Sequence, residues 1–280
     1  MSLQIFLLVI GAAFLHATWN AWVKGAADKW LNMAAVVLGH GVFGILCFTV
    51  VPLPDPASWP YVIASVALHL GYQLFLLASY RIGDLTQVYP IARGSAPLIV
   101  ALVTVVFLGA ELSRTEMLAV LLIGISIASL GLVRRADGLR NGNAAALALT
   151  TGGFIAAYSL VDGIGGRLAG TAVGFYSAIG ILNALCFLLV LAIWQPRLLP
   201  KLPGASGMIV FGGGASFAAY AMVVYAFTQA PIALVTALRE TSIVFALLFG
   251  VFFLKERLDL YKLASTAMTL TGAALLRIGK

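Results

Sequence analysis

The chain has 280 residues, of which 62% are hydrophobic and only 10% are charged. Its mean hydropathy is +1.04, whereas soluble domains carry about 25% charged residues, so this composition excludes a soluble domain. The formal net charge of +7 comes from lysines and arginines scattered singly between apolar runs, without a basic cluster, which argues against a nucleic-acid partner. We therefore predict an all-α integral membrane protein embedded in a lipid bilayer.

Runs of about 20 apolar residues, taken in chain order, predict ten transmembrane helices. These runs cover residues 3–23, 31–53, 59–80, 86–109, 115–133, 143–163, 171–194, 205–228, 231–253 and 259–277. The connections between them are short and contain turn-forming proline and glycine, so they leave no room for a soluble domain. The first run lacks a basic segment before it, and apolar sequence continues after it, so no cleaved signal peptide is expected.

The chain also repeats itself. Residues 79–94 parallel residues 225–240, and an offset of about 146 residues places Arg93 on Arg239. Each half holds five predicted spans, an odd number, so the halves must enter the membrane in opposite directions. We predict two inverted five-helix repeats, residues 1–136 and 141–280, with substrate bound near the midplane between them.

Arg93 and Arg239 each lie inside a long apolar run. A cation within the bilayer costs about 2.5–3.5 kcal/mol by insertion scales, so such residues are rare and usually functional. A structural alternative stays open, in which Glu240 or another acid neutralises Arg239 while Arg93 reaches the membrane interface. Guanidinium groups fit carboxylate or phosphate in a planar fork. The hypothesis is an anionic or zwitterionic substrate passed between two cations on opposite sides of the midplane.

Further polar residues inside the spans recur at helical spacing, three or four apart, and should face the bundle interior rather than lipid. His16, Asn20 and Lys24 form one stripe on the first span, and His69 shares a face with Tyr72 and Gln73 on the third. Later spans carry the pairs Tyr158 and Asp162, Ser216 and Tyr220, and Thr236 and Glu240. The predicted substrate-binding residues are Arg93, Arg239, Tyr89, His16, Asn20, His69, Gln73 and Tyr220.

The acids inside the spans, Asp162 and Glu240, have two open roles. Either can carry a proton, or both can compensate the charge of the arginines and Lys24. Burial and a neighbouring arginine act on a carboxyl group in opposite senses, so the sequence does not decide between these roles. His16 likewise either contacts substrate or makes an interhelical hydrogen bond worth about 0.6 kcal/mol. His40, without polar company on its span, is interpreted as structural.

Prolines mark the fourth helix of each predicted repeat. Pro90, Pro97 and Pro231 are expected to break or bend these helices and to free carbonyl groups that a cavity can use. The matching helices also carry the two arginines, so this helix pair is the predicted substrate-facing wall.

Several of these segments carry a family resemblance. Residues 87–97 (Gln-Val-Tyr-Pro-Ile-Ala-Arg-Gly-Ser-Ala-Pro), residues 107–111 and their counterpart 253–256 resemble the drug/metabolite transporter superfamily. The resemblance is to its EamA-type members, which have ten helices in two five-helix repeats. Residues 15–20 with Lys24 are also similar to a subgroup found near phosphonate-use genes. The sequence departs from the superfamily in one respect. Small four-helix relatives use a carboxylate on the first helix to exchange protons for cationic drugs, whereas the first span here has no acid and carries His16 and Asn20.

The resemblance implies a gradient-driven transporter of the bacterial cytoplasmic membrane, working by alternating access on a small polar metabolite. Open alternatives are a flippase for a lipid-linked sugar, an exporter of amino acids or drugs and, less favoured, a membrane-embedded enzyme. No catalytic, metal-ligating or nucleotide-binding spacing is recognisable, so neither enzymatic activity nor a cofactor is expected. The distribution of loop charges favours a topology with both termini outside the cell, while the resemblance implies that both termini lie on the cytoplasmic side. The sequence leaves monomer or homodimer open.

Overall fold

The computed structural model describes residues 1–23, 28–82, 85–130, 142–252 and 260–278. Within these ranges the regular structure is helical, and eight helical segments are long and apolar enough to cross a membrane. This confirms the predicted class of an all-α integral membrane protein. Ten crossings remain a proposal, because α5 spans only 17 described residues and the last apolar segment, Leu263–Ile278, is also short.

Eleven α-helices lie in the described ranges. They are α1 (Leu3–Val23), α2 (Lys29–Cys47), α3 (Trp59–Ile82), α4 (Leu85–Val106), α5 (Arg114–Leu130), α6 (Gly142–Leu168), α7 (Ala172–Trp194), α8 (Gly213–Gln229), α9 (Ile232–Arg239), α10 (Ser242–Phe252) and α11 (Leu260–Ile278). Short 3-10 segments cover Pro56–Ser58 and Pro196–Ala205, and a π-helical turn, Met208–Gly212, leads directly into α8.

The predicted ninth span is divided into α9 and α10. The Thr241 N–H donates to the Leu238 carbonyl, and the Ile243 N–H donates to the Glu240 carbonyl. These bonds join residues three apart instead of four, so the chain tightens locally and α9 ends at Arg239. The interruption therefore lies immediately beside the buried arginine.

Pro90 and Pro97 do not break α4, the first of the two helices that proline was expected to break or bend. α4 runs without interruption from Leu85 to Val106 with Pro90 and Pro97 inside it. Proline lacks only one backbone donor, and in a membrane bundle neighbouring groups can satisfy the freed carbonyl. Pro231 occupies the N-cap position of α9, outside the helix, where its fixed φ is compatible with helix initiation.

Polar residues cap several helix ends where backbone groups would otherwise lack partners. The Asp28 carboxylate accepts from the N–H groups of Trp30 and Leu31 at the start of α2, at 3.0 and 3.1 Å. The Arg167 guanidinium donates to the carbonyls of Phe227 and Ala230 at the end of α8, at 2.9 and 3.0 Å. These contacts fix where the helices begin and end.

Several helix contacts recur when the two halves are exchanged. α3 packs on α6 as α8 packs on α1, and α4 packs on α6 as α9 and α10 pack on α1. α2 packs on α7, and α5 packs on α11. Two similar repeats produce such an exchange of partners whichever way each crosses the membrane. The predicted boundary between the repeats, residues 136 to 141, lies outside the described residues, as do Lys24, Glu256 and many of the loop charges that bear on orientation.

Small residues bring helices together across the bundle. A Cβ added at Gly39 of α2 would lie 2.6 Å from the Gly213 Cα atom at the start of α8. Between α5 and α11, the hydroxyls of Ser126 and Thr269 are 2.9 Å apart. Such close backbone approach and interhelical hydrogen bonding are typical of helix packing in membranes. Large apolar side chains cover the outside, among them Ile45, Leu102 and Leu189.

Candidate functional site

Arg93 lies inside the bundle, in the middle of α4. Its exposed fraction is 6%, and its Nε atom is 2.9 Å from Oε2 of Glu240. The contact lacks hydrogen-bond alignment, because Nε has no hydrogen-bond partner despite this distance. The guanidinium carbon also lies 5.9 Å from the centre of the Tyr89 ring. Arg93 is therefore buried beside Glu240, whereas the structural alternative had it extend to the membrane interface.

Arg239 is the last residue of α9 and is equally buried, with 3% of it exposed. Its Nη2 atom lies 3.7 Å from Oε1 of Glu240, and its guanidinium carbon lies 5.7 Å from the centre of the Tyr220 ring. Tyr158 adjoins the same guanidinium. The two arginine side chains converge from different halves of the chain on one carboxylate.

This cluster of Arg93, Arg239 and Glu240 carries two positive charges and one negative charge. Among the described residues, the buried Nη2 of Arg93 and the buried Nε and Nη2 of Arg239 find no hydrogen-bond partner. Buried donors without partners are costly, and an uncompensated buried charge is more so. The cluster has unused donors and a net charge of +1, which suit an anionic group such as a carboxylate or phosphate.

A second polar centre surrounds Asp162 in α6, which is fully buried. The His69 Nε2 atom lies 3.1 Å from Asp162 Oδ2, and the Tyr220 hydroxyl donates to the same oxygen at 2.7 Å. The other oxygen, Oδ1, has no hydrogen-bond partner. Since Tyr220 also lies against Arg239, it links this centre to the arginine cluster.

Aromatic rings form a continuous wall between the two polar centres. Tyr158 stacks on His69 with ring centres 4.1 Å apart and meets the Tyr220 ring edge-on at 5.8 Å. Tyr176 lies 4.9 Å from Tyr220, and its hydroxyl is 3.3 Å from Nδ1 of His40. His40 thus has a polar partner, one on a neighbouring helix. The wall gives the site an apolar surface beside its charges.

The remaining predicted residues occupy different surroundings. Gln73 is 4% exposed, and its Oε1 atom lacks a hydrogen-bond partner. His16 is half-buried and packs edge-on against Trp19 at 5.4 Å. The Asn20 side chain donates to the His16 carbonyl of its own helix at 2.7 Å, so this bond does not connect helices. Lys24, the third member of their stripe, lies outside the described residues.

Two tyrosines of the wall were not among the predicted site residues. Tyr158 could have been included from the sequence, because it lies four residues before Asp162 on the same helical face. Tyr176 belongs to α7, an almost entirely apolar helix, and no spacing in the sequence distinguishes it. Its place in the wall depends on how α7 packs against α8.

Comparison with known proteins identifies the family of the second half. Residues 143–278 match the sequence model of the EamA-like transporter family. No curated protein matches the chain, and nothing supports the resemblance to the phosphonate-associated subgroup.

Solved structures share the fold. Twenty-nine chains match, among them one described as "Crystal structure of protein", with a TM-score of 0.79, 17% identity and 99% of both chains covered. At this identity the likeness shows the fold alone. The chain is a multi-pass membrane protein that carries an EamA-like transporter family domain over residues 143–278.

Proposed function

We propose that the protein is a gradient-driven secondary transporter that moves a small anionic or zwitterionic metabolite across the bacterial cytoplasmic membrane. It works by alternating access, with ten crossings arranged as two inverted five-helix repeats. The EamA-like domain supports transport in place of catalysis, since this is a transporter family.

The observation that carries the proposal is the set of unused donors on the two arginines. Arg93 Nη2 and Arg239 Nε and Nη2 are buried without hydrogen-bond partners while sharing one carboxylate. A ligand carboxylate or phosphate supplies the missing acceptors and the missing negative charge. Hydrogen bonds to charged groups contribute about 1.5–3 kcal/mol each, so this recognition decides which ligands bind.

The position of the site between the halves supports movement of one half against the other. Arg93 belongs to α4, and Arg239 belongs to α9, whose interruption from α10 lies beside the site. Discontinuous helices at a repeat interface commonly form transporter sites, because their freed backbone groups can meet substrate. Gln73, Tyr89, His69 and Tyr220 contribute the remaining polar and aromatic surface.

A thermal-shift screen of the purified protein tests this function. The ligands are small amino acids, organic acids, phosphonates, sugar phosphates and organic cations. An anionic or zwitterionic ligand at 100 times its Kd stabilises the folded state by about 2.7 kcal/mol, and cations give no shift. A ligand found in this way is then followed in proteoliposomes.

The matched variants are Arg93→Ala, Arg239→Ala and Arg81→Ala. Arg81 lies exposed near the end of α3, so its variant keeps ligand stabilisation and transport, while both buried-arginine variants lose them. Wild-type binding and transport in both Arg93→Ala and Arg239→Ala contradict the proposal.

A further inference from the structure

We propose that Asp162, together with His69 and Tyr220, binds and releases the coupling proton in the membrane interior, while Glu240 stays ionised as counter-ion to the arginines. The inference rests on the proposed transporter function and adds the coupling ion and its residue. It separates two acids that sequence reasoning could not distinguish.

The two acids have different partners. Glu240 lies 2.9 Å from Arg93 and 3.7 Å from Arg239, so its negative charge is compensated by two permanent cations. The close partners of Asp162 are the His69 ring, which is a cation only when protonated, and the Tyr220 hydroxyl. Protonation of Glu240 would leave the two arginines without a counter-ion, whereas Asp162 can gain or lose a proton without leaving an arginine unpaired.

Titratable and charged groups face Asp162 from the helices packed on α6. α6 itself contributes Tyr158. α3 contributes His69 and also Tyr72, whose ring packs against Tyr158. α7 contributes Tyr176 and α8 contributes Tyr220, with His40 of α2 behind Tyr176. α4 carries Tyr89 and Arg93, and α9 carries Arg239. Arg93 is engaged by Glu240, and Arg239 reaches Asp162 through Tyr220 and Tyr158.

Charge balance favours one proton on the pair. With one proton, held by Asp162 as a carboxylic acid beside neutral His69, the pair is neutral as a whole. Adding a second proton leaves a net charge of +1, and removing the first leaves −1. Either net charge is costly in an apolar interior. The step itself breaks one O–H bond, and water takes the proton on the side to which the site is open.

Tyr220 connects this step to substrate. Its hydroxyl donates to Asp162 while Arg239 lies against its ring. When Arg239 turns towards a bound anion, the positive charge near Tyr220 and Asp162 changes position. Proton affinity at Asp162 therefore depends on whether the arginine cluster is occupied, as coupling between ligand and proton requires.

Infrared difference spectroscopy of the substrate-free protein tests the assignment, with pH as the only variable. The carbonyl stretching band of a protonated carboxylic acid is followed in wild type, Asp162→Asn and Glu240→Gln. The titrating band is lost in Asp162→Asn and persists in Glu240→Gln. A band that survives in Asp162→Asn, or that disappears in folded Glu240→Gln, overturns the proposal.

Tyr220→Phe provides a second test in case Asp162→Asn or Glu240→Gln does not fold. It retains the carboxyl group but removes the hydroxyl that donates to Oδ2, so the midpoint of the band shifts to higher pH, since the carboxylate has lost a donor. An unchanged midpoint contradicts the assignment. These measurements need no substrate, so failure of the arginine site in transport assays is distinguishable from failure of the proton site.

Discussion

The Nε atom of Arg93 in α4 lies 2.9 Å from the Oε2 atom of Glu240, which follows α9 in the other half of the chain. Both side chains are buried, with exposed fractions of 7% and 2%. The contact joins the halves within the membrane, and the stability of the bundle should depend on it.

Glu240→Ala should lower the free energy of unfolding by about 3–5 kcal/mol, because removing one partner leaves buried cations uncompensated. Thermal or denaturant unfolding in detergent micelles measures the loss. In the double variant Arg93→Met with Glu240→Met, the destabilisation should be smaller than the sum of the two single changes. Additive losses would show that the two residues do not interact.

Arg239→Lys should weaken ligand binding at least about tenfold, which corresponds to 1.4 kcal/mol. Lysine retains the charge but lacks the planar fork that binds carboxylate or phosphate through two donors. Titration calorimetry with the best ligand of the screen measures the change. Arg167→Lys is the matched control: Arg167 caps carbonyls at the end of α8, so its variant lowers stability and leaves affinity unchanged. Equal losses of affinity in both variants would count against a specific role.

Gly39→Ala should destabilise the fold by about 1–3 kcal/mol, as overpacking does in other tightly packed interiors. The added Cβ meets the Gly213 backbone at 2.6 Å, and a backbone cannot turn aside as a side chain can. Gly153 in α6 has no atom within 4 Å of an added Cβ. Gly153→Ala should therefore be neutral or stabilising by up to about 1 kcal/mol. The melting temperatures of the two variants distinguish close packing from a general effect of losing glycine.

Reporter fusions should place the Pro196–Ala205 segment and the C-terminus on opposite sides of the membrane. α8, α9 with α10, and α11 lie between them, and three crossings reverse the side. The outcome depends on α9 and α10 together making a single crossing in spite of the interruption at Glu240 and Thr241. Paired fluorescent and phosphatase fusions measure it. The same side for both positions would mean that α9 and α10 return to the side from which they started.

The helices could be predicted from the sequence because hydropathy is a local property. α1 occupies the predicted span, residues 3–23, and most other helices end within a few residues of the predicted limits. The interruption after Arg239 was not predictable, since neither proline nor glycine marks Glu240 or Thr241. Pro90 and Pro97 lie inside the uninterrupted α4, so the positions of the prolines did not locate the interruption. Whether a carbonyl group freed by proline finds a hydrogen-bond partner depends on neighbouring helices, which the spacing of residues in the sequence does not reveal.

The polar residues inside the bundle could be picked out from the sequence, but their arrangement could not. Arg93, Arg239, His69 and Asp162 are conspicuous because polar groups are rare in such a chain. Their pairing depends on contacts between distant segments. The spacing allowed Glu240 to compensate the arginines, but it did not indicate that this one carboxylate lies beside both guanidinium groups. For Asn20 the spacing suggested a polar stripe facing the bundle interior, but its amide donates to the His16 carbonyl of its own helix.

That one acid is shared by two cations has a consequence for the empty carrier. Under the proposed function, a bound anion takes over part of the charge compensation that Glu240 supplies, so the contact between Arg93 and Glu240 weakens. Separation of the two halves would then require bound substrate, and the empty protein would keep them together.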